Sequence, residues 1–276
     1  MSDKKPQPSD KKPIKAYKDS HFINSPAGRP VRILSEYLAP LERFEHHKIR
    51  DTVVFFGSAR IPSLEAAEQQ VKAAEAGEGD PEAAAKMLYM SKYHEACRQL
   101  AQRLTEWSSN LKGTDRRFVI ATGGGPGIME AANHGACDGG GPSIGLGISL
   151  PFETSDNGYI DEDLNFQFHY FFMRKFWFSY IAKAFVVMPG GYGTMDELFE
   201  VMTLIQTAKM RKKVPIVLFG KEFWNDVINF DALVKYGTIS PADLDLFLIT
   251  DSQDEAFEYV TKGLMTYAWE NPGGGM

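Results

Sequence analysis

Seven short, nearly continuous apolar runs recur along this chain: Thr52–Phe56, Phe118–Ala121, Ile144–Ser149, Phe166–Tyr170, Ala184–Met188, Val214–Phe219 and Phe247–Thr250. A strand with one solvated face alternates polar and apolar residues, whereas a run that is apolar throughout belongs to a strand covered on both faces. Stretches of helical character separate most of these runs, including Pro126–Cys137, Thr194–Met210, Glu222–Tyr236 and Ser252–Trp269. Doubly covered strands in alternation with helices make a parallel sheet with right-handed crossovers. The expected fold class is α/β, a Rossmann-like doubly wound parallel sheet.

At roughly 150 residues per domain, a chain of 276 residues makes one large domain or two small ones. One connection, from Ile61 to Lys112, is longer than a simple crossover requires. Its Ala/Glu/Lys-rich halves, Leu64–Ala85 and Lys86–Trp107, predict two helices around a loop near Gly77–Pro81. The chain is therefore expected to hold a single domain over residues 51–270, with a helical insertion at 61–112 and an N-terminal extension at 21–50. Residues 1–20 carry Lys4, Lys5, Lys11, Lys12, Lys15 and Lys18 and little to bury, which predicts a disordered tail. The Gly-rich segment 271–276 is expected to be a second one.

Charge and composition remove whole classes of function. With 30 Lys+Arg against 36 Asp+Glu the net charge is −6, so no general nucleic-acid partner is expected. No apolar run reaches the roughly 18 residues of a membrane span, and no hydrophobic leader opens the chain. A soluble cytoplasmic protein without a membrane partner is the expectation. Cys97 and Cys137 cannot build a disulfide framework and have no metal-ligand spacing. Cys137 reads as a small buried residue, and His134 and His169 as structural histidines. No metal and no cofactor is called for.

In an open α/β sheet, ligands bind outside the carboxyl ends of the strands, so the residues following each run carry the functional signal. Three such loops stand out. Gly57-Ser58-Ala59-Arg60 is a small-residue turn whose Ser58 can donate to a phosphate or sugar. Thr122-Gly123-Gly124-Gly125-Pro126-Gly127 leads into a helix opening at Pro126, which aims backbone N–H groups at an anion. It is not the dinucleotide fingerprint, because Ile128 stands where the third glycine of GxGxxG belongs, and no Walker A sequence occurs. The strongest is Pro189-Gly190-Gly191-Tyr192-Gly193-Thr194-Met195-Asp196-Glu197, a nest of N–H donors at a strand-to-helix junction with the Thr194 hydroxyl beside it.

Two residue types near this loop admit more than one reading. Thr194-x-x-Glu197 has the spacing of a capping box, yet a carboxylate beside a phosphate nest is electrostatically awkward unless function requires it. Arg174 and Lys175 are either snorkelling surface cations among aromatic residues or partners of that crevice. Adjacent side chains on a helix diverge by about 100°, so one is expected to serve chemistry and the other to support it.

Together, Met173-Arg174-Lys175 and Pro189-Gly190-Gly191-x-Gly193-Thr194-x-x-Glu197 resemble the signature of the LOG (Lonely Guy) family of cytokinin riboside 5′-monophosphate phosphoribohydrolases, whose bacterial members were long mislabelled as lysine decarboxylases. The likeness runs from Asp51 to about Phe219 and takes in Phe56–Arg60, Gly123–Gly127, Gly139–Gly141 and Gly145-x-Gly147-x-x-Leu150-Pro151. It implies hydrolysis of the N-glycosidic bond of a nucleoside 5′-monophosphate, with Arg174 and Glu197 as the catalytic pair. By the same resemblance Gly190, Gly191, Gly193 and Thr194 cradle the phosphate, and Ser58, Gly124 and Lys175 add nucleotide contacts. It also implies a homodimer or higher homo-oligomer. The N-terminal lead-in, the insertion, the C-terminal extension and Glu130 as an additional carboxylate near the site resemble the longer bacterial members, for which AMP or another purine nucleotide is the expected substrate.

N-glycoside cleavage passes through an oxocarbenium-like sugar and needs an ionised carboxylate near C1′, the role expected of Glu197, with Arg174 holding it ionised. The competing reading is a nucleotide or cofactor carrier that keeps the phosphate nest without turnover. Amino-acid decarboxylation needs a Schiff-base lysine, and nothing in the sequence singles one out.

Overall fold

The computed structural model describes residues 13–113, 115–149 and 157–275. Helices α1 (Ser20–Asn24) and α2 (Arg29–His46) precede strand β1 (Thr52–Phe56), and the insertion forms α3 (Leu64–Glu75) and α4 (Pro81–Ser109). There follow β2 (Val119–Thr122), α5 (Ile128–Asp138), β3 (Ser143–Ile148), β4 (Asn165–Phe168), α6 (Phe171–Ile181), β5 (Ala182–Val187) and α7 (Tyr192–Gln206). The chain closes with β6 (Ile216–Phe219), α8 (Lys221–Val227), α9 (Phe230–Lys235), β7 (Leu248–Thr250) and α10 (Gln253–Tyr267).

All seven apolar runs become strands of one parallel sheet, in the order β4-β3-β2-β1-β5-β6-β7. From β1 the chain winds outward through β4, then returns to the other side of β1 with β5. This reversal is the switch point of a doubly wound sheet, where the connections diverge and leave a crevice. Val53, Val54, Phe55, Ala184, Val186 and Val187 are fully buried, as continuous apolar strands require.

Two cores flank the sheet. One joins Val54, Phe56, Phe185 and Val187 to Phe44 of α2, Trp177 and Phe178 of α6 and Leu198 of α7. The other joins Val53, Phe55 and Val186 to Leu100 and Leu104 of α4, Ile128 of α5 and Val260 of α10. Glu222–Tyr236, expected as one helix, is two. The first ends at Val227, and the second restarts because the Asn229 side chain accepts the Ala232 N–H as a new cap.

The ends of the chain differ from the expectation of free tails. Residues 1–12 lie outside the described residues, but Ala16–Lys18 form a helical turn, and Asp19 caps α1 by accepting the N–H groups of His21 and Phe22. At the other end the Gly273 N–H donates to Asp51 Oδ1 at 2.9 Å and the Gly275 N–H to Tyr180 O at 3.0 Å. Composition misses this docking because glycine backbone, not side chains, makes the bonds. Asp51, fully buried just before β1, also pairs with Arg117, and Lys183 Nζ lies 3.7 Å away. Cys137 is exposed, against expectation, while Cys97 is buried between α4 and the sheet.

Candidate active site

The loops after β1 and β5 meet at the switch point. Ser58, in the loop after β1, donates its N–H to Pro189 O at 3.0 Å, and its carbonyl accepts the Ile128 N–H at 3.1 Å. That second bond needs Gly127, whose φ of 67° is left-handed and where a Cβ would stand 2.6 Å from Ser58 O. Helix α5 therefore opens at Ile128 rather than at Pro126.

Between these loops and α6 lies a cavity of about 660 Å³. Ser58, Arg174, Gly191, Gly193, Thr194 and Glu197 line it, with Phe56, Met129, Ile148, Phe171 and Phe178 supplying an apolar side. A largely apolar cavity with a few convergent polar groups is the form of a small-molecule site.

Helix α7 begins at Tyr192 with Gly191 as its N-cap, earlier than a Thr194 cap would allow. The capping-box reading of Thr194 and Glu197 therefore fails. Thr194 instead turns its side chain over Gly190, where a Cβ would meet Thr194 Oγ1 at 2.1 Å. The first turn of a helix leaves its N–H groups without intrahelical partners, so Tyr192, Gly193 and Thr194 present donors and the positive end of the helix dipole to the cavity.

Arg174 of α6 and Glu197 of α7 face each other, with Nη2 3.0 Å from Oε1. Glu197 is only 5% exposed. The guanidinium lies 5.2 Å from the centre of the Phe171 ring and 5.7 Å from that of Phe178. Burial pushes the Glu197 carboxyl above the ordinary 4.5, outweighing the attraction of Arg174 and Lys175. Arg174 thus positions Glu197 without holding it in the ordinary carboxylate range, contrary to expectation. The raised value makes Glu197 a better proton acceptor.

Four predicted residues lie elsewhere. Lys175, adjacent to Arg174 but on another face of α6, binds Asp196 at 2.8 Å and Glu200 at 2.7 Å and does not line the cavity. Gly124 packs beside Gly145 of β3 and Gly190 beneath Thr194, so both shape loops without forming the wall. Glu130 lines a separate cavity behind the Ala59–Arg60 turn. Leu150 and Pro151 lie outside the described residues.

Several residues at or near the site were given no role from sequence. Arg60 and Tyr192 line the cavity, and Tyr192 is 93% exposed. Glu36 of α2 accepts the backbone N–H groups of His169 at 2.9 Å and Tyr170 at 3.3 Å, the residues that lead into α6 and so into Arg174. The x position of Gly-Gly-x-Gly was the available signal for Tyr192; a glutamate on a polar extension gave none for Glu36.

No described helix is long and apolar enough to cross a membrane, and no group of three or more described His, Cys, Asp or Glu residues is arranged to hold a metal.

A doubly wound parallel sheet with a glycine-rich loop and a buried Arg–Glu pair at its switch point defines a Rossmann-like α/β protein with a crevice at the carboxyl ends of its strands. The sequence pattern described as "Possible lysine decarboxylase" matches residues 129–260. Over 163 residues the chain is 29% identical to the probable cytokinin riboside 5′-monophosphate phosphoribohydrolase LOG4 of Oryza sativa subsp. japonica, covering 58% of this chain and 70% of that one. It is 32% identical over 154 residues to the phosphoribohydrolase LOG7 of Arabidopsis thaliana, covering 54% and 64%. It is 30% identical over 157 residues to the rice relative LOGL3, covering 54% and 67%. The chain belongs to the LOG family. Among solved structures, TM1055 is similar at 18% identity and a TM-score of 0.47, over 77% of this chain and 99% of that one.

Proposed function

We propose that the chain hydrolyses the N-glycosidic bond of a purine nucleoside 5′-monophosphate such as AMP, releasing the free base and ribose 5-phosphate. The observation that carries this reading is the Arg174–Glu197 pair beside the N–H groups of the Gly191–Thr194 turn, in one cavity. The phosphate occupies the helix start, with Gly191, Gly193 and Thr194 around it and Ser58 opposite. Phosphate binding then positions the sugar, a contribution that a plain nucleoside lacks.

In the reaction the C1′–N bond breaks and its electron pair leaves with the base. Glu197, ionised, faces the positive charge developing at the sugar. Water adds its oxygen to C1′ and gives its proton to Glu197, whose raised basicity suits that step. The proton then passes to the departing base nitrogen, so that the base leaves neutral and Glu197 is ionised again. Arg174 orients the carboxylate and the leaving base. The scheme uses no metal and no cofactor. The exposed Tyr192, with Phe171 and Phe172 both half-exposed, marks an apolar rim that a second copy of the chain would cover, in keeping with a homodimer.

The test is incubation of the purified chain with AMP, GMP, CMP, UMP and adenosine, with base and ribose 5-phosphate separated by chromatography. Release of base from a nucleotide, absent with Glu197→Gln, is the expected outcome. Nucleotide bound tightly but returned intact would make the chain a carrier instead.

A further inference from the structure

The second cavity, of about 810 Å³, lies behind the Ala59–Arg60 turn and is roofed by the insertion helices α3 and α4. Ala59 and Arg60 line both cavities, so this turn is their common wall. Nothing in the proposed reaction uses the second one.

Its lining is specific in chemistry. Glu65, Glu68, Glu95 and Glu130 face it, against Arg60 and Arg98. Arg98 is already committed, its Nε 2.6 Å from Asp138 Oδ2. His94 lines the cavity at 7% exposure, and its Nδ1 is buried without a hydrogen-bond partner among the described residues. A buried polar atom left unpaired costs stability, and His94 carries that cost at the wall of the cavity. His134 and Tyr159 stack there with ring centres 3.9 Å apart and planes at 10°. Burial holds both His94 and His134 below their ordinary value, so neither supplies positive charge at neutral pH.

This excess of carboxylates repels a phosphate dianion and accepts hydrogen bonds from N–H groups. A flat ring wall and neutral imidazoles suit a planar heterocycle that both donates and accepts. Exocyclic amines and ring nitrogens give a nucleobase that pattern.

We propose that the cavity behind the Ala59–Arg60 turn binds an uncharged amino-bearing purine, as free base or nucleoside, at a site distinct from the Arg174–Glu197 cavity. Glu130 accepts from its amino group, Arg60 and His94 address its ring nitrogens, and Tyr159 borders its face. Resting on the proposed hydrolysis, the occupant is the class of molecule that reaction releases, and the shared turn carrying Ser58 makes its binding felt at the phosphate cradle.

The test is calorimetric titration of the intact chain with adenine and with adenosine, alone and with saturating ribose 5-phosphate. Binding of one equivalent that persists with ribose 5-phosphate and in Arg174→Ala, but weakens at least tenfold in Glu130→Gln and in His94→Phe, is expected. Glu130→Gln is the decisive variant should His94→Phe fail to fold, because Glu130 lies at a partly exposed position. Absence of binding at millimolar base, or binding lost in Arg174→Ala and retained in Glu130→Gln, overturns the proposal. Adenine binding in a chain that turns over no nucleotide leaves this site standing and removes the hydrolase reading, so the two failures are distinguishable.

Discussion

The carboxylate of Glu36 accepts the backbone N–H of Tyr170 at 3.3 Å, tying helix α2 to the residue that caps α6. The same carboxylate takes the His169 N–H at 2.9 Å, and the Glu36 carbonyl accepts Trp177 Nε1–H at 3.0 Å. Charge at a helix N-terminus with two N–H bonds is a favourable placement. Since α6 carries Arg174, the extension fixes one half of the Arg174–Glu197 pair. Glu36→Ala is expected to lower stability by about 1–3 kcal/mol in urea denaturation. It should also lower kcat more than it raises KM. A change below about 0.5 kcal/mol would show that α6 holds its position without Glu36.

The raised pKa of Glu197 gives a signed pH dependence. Between 4.5 and its folded value the native chain holds a proton that the unfolded chain has released, so stability falls as pH rises through that window. Glu197→Gln should remove this slope. If the ionised form is the active one, kcat/KM falls on the acid side at a pH above 4.5. A limb at or below the ordinary carboxylate value sinks this assignment.

Lys175 provides the contrast to Arg174. It is held by Asp196 and Glu200 on the far side of α6, so Lys175→Met should change kcat/KM less than about fivefold, against a loss of at least a hundredfold in Arg174→Ala. Steady-state kinetics on the two variants decides the matter. Comparable losses would mean that Lys175 turns toward the substrate.

The sheet was legible because its strands are apolar on both faces, a signal that Thr52–Phe56 and Ala184–Met188 carry in their own residues. The glycine loops were legible as strand-to-helix junctions, and the structure brings Gly191, Gly193 and Thr194 to the wall of one cavity. What sequence did not separate was direction. Arg174 and Lys175 are chemically alike and adjacent, and only the rotation of α6 sends one into the cavity and the other to Asp196. The helix start was missed by two residues because Thr194 and Glu197 satisfy the spacing of a cap they do not make. Glu36 and the C-terminal glycines act through backbone N–H groups distant in sequence, which leave no local pattern.

Gly190 tests the nest by volume alone. A methyl group there would sit 2.1 Å from Thr194 Oγ1 and 2.6 Å from Thr194 Cβ, whereas one at Gly191 meets nothing within 4 Å. Gly190→Ala is expected to cost about 1–3 kcal/mol and to displace Thr194 from the cavity. Gly191→Ala should fold as the parent does while raising KM for the nucleotide, because Gly191 lines the wall. Equal thermal stability of both variants with the parent would remove the steric argument.

At the opposite end of the sheet, Lys212 Nζ donates to Ser179 O at 2.6 Å and Tyr180 O at 2.8 Å, securing the last turn of α6. Burial, with the nearby Lys183 adding to it, pushes the Lys212 ammonium down to about 7 from an ordinary 10.5. Between those values the unfolded chain keeps a proton that the folded chain gives up, so this group makes stability rise with pH from about 7 toward 10.5. Below about 7 both states are protonated and the native state bears the full cost of the buried charge. Other groups titrate in the same interval, so the quantity to measure is the difference between the parent and Lys212→Met. The parent's urea midpoint should gain on the variant's between pH 7 and pH 9.5, because methionine has no proton to lose. A constant difference over that interval would mean that the two carbonyls, by accepting from the ammonium, keep it charged and compensate its burial in full.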